Sequence, residues 1–119
     1  MFNPRDFCDL AMDLFSKLPY TEALGRTVVG RWYYAVFLQA REKVNQKRPG
    51  LLGGTRQEVH WRVREVLKTM GYPNISGKLS KLSEIRGKAD YDMAITIGKK
   101  EAEEALLLSQ DIARLVANV

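Results

Sequence analysis

The stretch that decides the fold is EALGRTVVGRWYYAVFLQAREKVNQ, residues 22–46. Its apolar residues recur every three or four positions, the spacing of one face of an α-helix. Thr21 precedes it and belongs to a residue type that caps helix N-termini, while the turn-forming run Arg48 to Gly54 follows it. The pattern predicts one long helix with an apolar stripe directed to the core. The stripe consists of Leu24, Val28, Trp32, Ala35, Val36 and Ala40.

Four further segments show the same helical spacing. They cover residues 5–18, 55–70, 76–92 and 99–117. Gly71 and Pro73 are expected to end the third of the five helices, and Ser76 to begin the fourth. No segment shows a convincing strand alternation, since the one β-leaning patch, residues 94–97, is too short. The sequence therefore predicts an all-α protein, a single-domain antiparallel bundle of four to five helices over residues 1–119.

The composition excludes several classes of protein. Hydrophobic residues make up 45% of the 119 residues, which is enough for one core without a metal or a disulfide. Cys8 and His60 are the only cysteine and the only histidine, so neither an internal disulfide nor a closed zinc site can form. No apolar run is long enough to span a membrane, and the first residues lack the apolar core of a signal peptide. We therefore expect a cytoplasmic protein without a metal or cofactor.

The net charge of +5 is concentrated in the middle of the chain. Residues 21–50 carry six basic and two acidic side chains, and residues 51–72 carry four basic and two acidic ones. A surface that faces RNA or an acidic partner requires such an excess of positive charge. An ordinary solvated helix face is the alternative explanation.

One face of the long helix combines basic and apolar side chains. It carries Arg31, Tyr34 and Arg41 and is separate from the stripe that includes Trp32. A nucleic-acid groove and a pairing interface both have this mixed character. The aromatic residues 32–34 would either stack on bases or, as is more usual in a central helix, pack in the core. We predict a surface that binds RNA or a partner protein through Arg31, Tyr34, Arg41 and Lys88.

Two motifs are more specific than helical spacing. They are GRWYYAVFLQAREKV, residues 30–44, and LSEIRGKADYDM, residues 82–93. Their order and separation resemble the HEPN superfamily, most closely its small stand-alone branch, over residues 5–117. The resemblance implies a bundle of four or five helices, commonly dimeric, that acts beside nucleotidyltransferase-like partners or in defence and toxin–antitoxin settings. Active members are metal-independent endoribonucleases, with the signature arginine, four to six residues, then histidine, and with two copies meeting across the dimer interface.

The chain departs from that signature at the histidine. Arg86 is present, but Tyr91 stands where the shortest spacing would place the histidine. RNA cleavage without a metal needs a base, an acid and positive charge at the phosphate. Arg86 could provide the charge and Tyr91 a proton, with Asp90 or His60 as the base, provided that the fold brings His60 to this cluster.

A purely structural role for the same residues is the alternative. Arg86 and Asp90 lie four positions apart and would form a modest ion pair on one helix face. On a straight helix Tyr91 would point about 140° away from Arg86, so their convergence would need a bend near Gly87 or a dimer partner.

Two functions follow, and a third is weaker. The first is a HEPN-type module, related to RNA, that dimerises or binds a partner such as a nucleotidyltransferase or a defence assembly. The second is a metal-independent endoribonuclease toxin that uses a degenerate Arg-x4-Tyr motif. In the third, Tyr91 accepts a nucleotidyl group from a partner transferase. The expected partners are a second copy of the chain or another protein, and RNA.

Overall fold

The protein is a bundle of five α-helices, as described by a computed structural model that covers residues 1–119. The helices are α1 (Arg5–Lys17), α2 (Glu22–Lys47), α3 (Arg56–Thr69), α4 (Pro73–Tyr91) and α5 (Lys99–Val116). The predicted all-α bundle is confirmed. Thr21 caps α2 as expected, because its hydroxyl accepts a hydrogen bond from the amide of Leu24 at 3.2 Å. None of the five helices combines the length and the apolar character that a membrane crossing requires.

α2 is the central helix, and the other helices pack around it or against its neighbours. α5 runs parallel to α2: the amide of Ile97 donates to Glu22 near one end, and Lys43 donates to the carbonyl of Ala117 near the other. The core is one cluster of 20 buried apolar residues drawn from all five helices and the last connection. Burial of each large member contributes about 1.5–3 kcal/mol to the free energy of unfolding. The largest are Trp32, Tyr33, Leu67, Leu79, Leu82 and Ile112.

The turn between α3 and α4 differs from the sequence prediction. α3 ends with Gly71 at a φ of 96°, and the amides of Gly71 and Tyr72 donate back to the carbonyls of Lys68 and Leu67. Pro73 then occupies the first turn of α4, so the predicted start of this helix at Ser76 is wrong. Proline suits a helix start because its fixed φ is helical and its missing N–H would have no partner there.

The connection between α4 and α5, residues 92–98, is fastened to α2 by Arg26. The guanidinium uses all five of its N–H groups on oxygens of the chain. Its acceptors are the carboxylate of Glu22 and the carbonyls of Lys88, Ala89 and Ile95. Glu22 also accepts from the amide of Ile97 at 3.0 Å. We call Arg26, Glu22 and this backbone the Arg26 latch; it fixes the end of α4.

Candidate functional site

The predicted site residues, except Lys88, lie where α3 and α4 pack against α2. Tyr33 and Phe37 lie one turn apart on α2, and their rings are parallel with centroids 5.9 Å apart. The ring of His60, from α3, stacks on Phe37 with a centroid distance of 3.9 Å. We call the whole group the aromatic–arginine cluster; its members are Tyr33, Tyr34, Phe37, His60, Arg86, Asp90 and Tyr91.

Arg86 lies among three tyrosine rings. Its guanidinium carbon is 5.4 Å from the ring centroid of Tyr33, 5.2 Å from that of Tyr34 and 5.7 Å from that of Tyr91. Each such cation–π contact is worth about 0.5–2 kcal/mol, depending on how far it is desolvated. Arg86 makes only one hydrogen bond within the chain, from Nη2 to the hydroxyl of Tyr34 at 3.0 Å. The arginine is therefore held by aromatic faces and by the Asp90 carboxylate, and most of its N–H groups make no hydrogen bond within the chain.

Asp90 pairs with Arg86 as predicted from their four-residue spacing. Its Oδ2 lies 3.0 Å from Nε of Arg86. The Nε–H is not directed at the carboxylate in hydrogen-bond geometry, so the contact is an ion pair rather than an aligned hydrogen bond. The pair is partly exposed, which limits its contribution to stability to about 1 kcal/mol or less.

Tyr91 lies beside Arg86, contrary to the prediction that it would point elsewhere without a bend or a partner. α4 remains helical through Tyr91, and the long side chain of Arg86 spans the angular separation. Tyr91 as a whole is 74% exposed. Asp92 is not part of this contact, because its carboxylate accepts from the amide of Ala94.

Lys88 does not reach the predicted binding surface. It lies on another side of α4, where it lines a separate pocket of about 310 Å³ together with Glu84 and Glu101. Arg31 does reach the surface: its guanidinium lies 5.4 Å from the ring centroid of Tyr34 and 5.1 Å from that of Phe7. Trp32 and Tyr33 are core residues, each 1% exposed, whereas Tyr34 is only partly buried.

His60 joins the cluster through a hydrogen bond to Tyr33. Its Nδ1 lies 2.6 Å from the tyrosine hydroxyl. Burial lowers the pKa of His60, and the nearby positive charges of Arg86, Arg64 and Arg41 lower it further. Burial raises the pKa of Tyr33. At neutral pH both groups are therefore uncharged, and the hydrogen bond runs from the phenol to Nδ1 or from Nδ1–H to the phenol oxygen, depending on the imidazole tautomer.

Two arginines of the site escaped the sequence analysis. Arg56 and Arg64 lie four residues before and after His60, and this spacing places all three on one side of α3. The acids of α3 are occupied elsewhere: Glu58 pairs with Arg62, and Glu65 with Lys68. The four-residue spacing on a predicted helix was the signal that could have found them.

A pocket of about 330 Å³ opens beside His60. Arg41 extends past the Phe37 ring at this pocket, with its guanidinium carbon 6.0 Å from the ring centroid. We call it the His60 pocket; its lining consists of Tyr34, Phe37, Leu38, Arg41, Arg56, Val59 and His60. No carboxylate is among these residues. No three His, Cys, Asp or Glu side chains converge anywhere in the chain as metal ligands would.

Comparisons with known proteins assign no family. No family model matches the chain, and no solved structure matches it. An uncharacterised protein of Methanocaldococcus jannaschii is 27% identical, with 100% of this chain and 77% of the relative covered. A second uncharacterised protein of the same organism is 28% identical, with 93% of this chain and 76% of the relative covered. Neither relative's description names an activity.

Proposed function

We propose that this chain is a HEPN-type module that binds single-stranded RNA at the side of α2 where the aromatic–arginine cluster lies. The observation that carries the proposal is the distribution of arginines without an acidic partner. Six arginines make no ion pair, and four of them surround this cluster, with Arg5 and Arg48 as the other two. The four are Arg31, Arg41, Arg56 and Arg64.

Unpaired arginines beside exposed aromatic rings are what a single-stranded nucleic acid needs. The cations contact phosphates, while stacking of a base on an aromatic ring is worth about 1–3 kcal/mol. Tyr91 offers an exposed ring next to Arg86, and Tyr34 offers a partly exposed one next to Arg31. Since no carboxylate of the chain pairs with these four arginines, their charge is available to an anionic ligand.

The HEPN resemblance adds a protein partner to this proposal. A second copy of the chain, or a nucleotidyltransferase-like protein of a defence or toxin–antitoxin system, would contact the end of α4. Tyr91 is 74% exposed there and Met93 93% exposed. Two large exposed side chains next to a basic cluster suit an interface that is buried only in the assembly.

Fluorescence anisotropy with a labelled single-stranded RNA tests RNA binding. The double variant Arg31→Gln/Arg41→Gln should weaken binding about tenfold or more and reduce the slope of log affinity against log salt by about 1.4, because two phosphate contacts are lost. The matched control is Lys99→Gln/Lys100→Gln, which removes the same charge from the first turn of α5. Absence of binding by the unmodified protein, or an equal loss in the control, would contradict the proposal.

A metal-independent endoribonuclease is the second candidate, and the position of His60 favours it. His60 lies in the same cluster as Arg86, although the motif histidine is missing from α4. In such a reaction Asp90 would take the proton of the 2′-hydroxyl as that oxygen attacks the phosphorus. Tyr91 would give a proton to the leaving 5′-oxygen, Arg86 would stabilise the negative charge on the phosphorane, and the uncharged His60 could replace Asp90 as the base.

RNA cleavage by the purified protein in EDTA separates the two candidates. An enzyme of this kind should cut RNA without metal, and Arg86→Ala should abolish the cleavage because the charge at the phosphorane is lost. Cleavage that persists in Arg86→Ala would point to a contaminating nuclease or another site. RNA binding without cleavage in either protein would identify a binding module.

A further inference from the structure

We propose that the His60 pocket is a subsite for a phosphate group with two negative charges, a phosphate monoester rather than a phosphodiester. The monoester would come from the end of an RNA strand, in which case the inference rests on the proposed function, or from a free phosphate compound. Three independent features of the pocket support this proposal: its charge, the fixed orientation of His60 and its position beside Tyr34.

The charge of the pocket matches a dianion. Arg41 and Arg56 both line it, neither makes an ion pair, and no carboxylate lines it to offset them. At Arg86, in contrast, the Asp90 carboxylate lies 3.0 Å away and offsets part of the positive charge. A phosphate monoester carries about −1.5 to −2 charges at pH 7, whereas a phosphodiester carries one. The dianion therefore gains more in the His60 pocket than at Arg86.

His60 offers a directed hydrogen-bond donor in the pocket. Its ring is stacked on Phe37 and approaches Tyr34 edge-on, with centroids 6.2 Å apart. Nδ1 is already engaged by Tyr33, and with the phenol as the donor of that hydrogen bond the imidazole proton lies on Nε2 and is available to a ligand. Because these contacts hold the ring in place before any ligand arrives, binding costs little side-chain ordering.

Tyr34 joins the pocket to the rest of the proposed RNA surface. Its hydroxyl accepts from Arg86, and the same residue lines the His60 pocket. A strand whose end lies in the pocket would therefore pass the Tyr34 ring and continue toward Arg86. The volume of about 330 Å³ exceeds that of a phosphate group alone and lies near the lower limit of ligand pockets, roughly 300–1,000 Å³. It leaves room for the sugar that carries the phosphate.

NMR of the single histidine tests the subsite with inorganic phosphate as the probe. The imidazole resonances of His60 should shift saturably with added phosphate at constant ionic strength. The pKa of His60 should rise in the bound state, because a neighbouring anion stabilises the imidazolium. Arg41→Gln/Arg56→Gln should abolish the saturable shift, while Lys99→Gln/Lys100→Gln should retain it. A shift that is absent, or that survives in the Arg41/Arg56 variant, overturns the proposal.

RNA with defined ends distinguishes the two sources of phosphate. Oligonucleotides of one sequence carry a 5′-phosphate, a 3′-phosphate or hydroxyls at both ends, and their affinities are compared. One phosphorylated form should bind at least about tenfold more tightly than the hydroxyl form, and the difference should disappear in Arg41→Gln/Arg56→Gln. Equal affinities together with an unmoved His60 overturn the subsite but leave the proposed RNA surface intact. A saturable His60 shift without any RNA binding supports a free phosphate ligand and rejects the proposed function.

Discussion

Arg26 and Arg86 both join α2 to α4, but they do so in opposite ways. Arg26 extends from α2, and all five of its N–H groups donate hydrogen bonds to oxygens of the chain. Arg86 extends from α4, makes one hydrogen bond, pairs with Asp90 and is surrounded by three aromatic rings. A guanidinium whose hydrogen bonds are complete has nothing left for a ligand. A guanidinium held by rings keeps both its position and its donors, which is what a binding site needs.

The strongest challenge to this comparison is Arg26→Met, which should have the largest effect on stability. The variant removes a donor from partly buried carbonyls at the end of α4 and in the connection that follows, and we expect a loss of about 2–3 kcal/mol in the free energy of unfolding. Urea unfolding followed by circular dichroism measures it. A loss below about 1 kcal/mol would mean that water replaces the guanidinium easily and that the latch does not fix the end of α4.

Arg86→Met should show the reverse pattern, a smaller loss of stability and a larger loss of binding. The methionine still packs against the tyrosine rings, so we expect the free energy of unfolding to fall by about 1–1.5 kcal/mol. RNA affinity should fall about tenfold, because the charge and its free N–H groups are gone. Anisotropy and urea unfolding on the same preparation provide both numbers. If Arg86→Met destabilises the fold as much as Arg26→Met, the two arginines do not differ in role.

Gly87→Ala should have the smallest effect. It tests whether the contact between Arg86 and Tyr91 depends on the backbone conformation at Gly87. A Cβ at Gly87 meets nothing within 4 Å, and the residue lies inside a regular helix. Alanine should therefore stabilise the protein by about 0.5–1 kcal/mol and leave RNA affinity unchanged within twofold. A loss of affinity would show that Arg86 and Tyr91 need a backbone distortion after all. Gly25→Ala is the contrasting control, because its Cβ would clash with the ring of Tyr20.

The helices could be predicted from the sequence because their signals are local. The stripe through Trp32 and the cap at Thr21 lie within the segment they define, and α2 begins and ends within one residue of its predicted bounds. The start of α4 was wrong because proline marks both the end of one helix and the first turn of another. Only the geometry of the turn at Gly71 decides between these meanings.

The site could be predicted only in part, because its geometry depends on contacts between distant segments. Arg86 and Asp90 lie on one helix, so their ion pair followed from spacing alone. The contact of His60 with Tyr33 depends on how α3 lies against α2, which helical periodicity does not contain. Arg26 looked like any charged residue on a helix, since its carbonyl partners carry no sequence signal.

The Arg26 latch has a consequence for how the protein is made. The hydrogen bonds from Arg26 to backbone carbonyls join residues 62 to 69 positions apart in the chain, and the contact between Glu22 and Ile97 spans 75 positions. During synthesis α2 emerges long before residues 88–97, whose backbone binds Arg26 and Glu22. The end of α4 is therefore fixed only when most of the chain has left the ribosome. Tyr91 and Arg86 thus reach their final positions late. The proposed RNA surface is complete only in a chain that has finished folding, and a nascent chain presents the basic side of α2 without it.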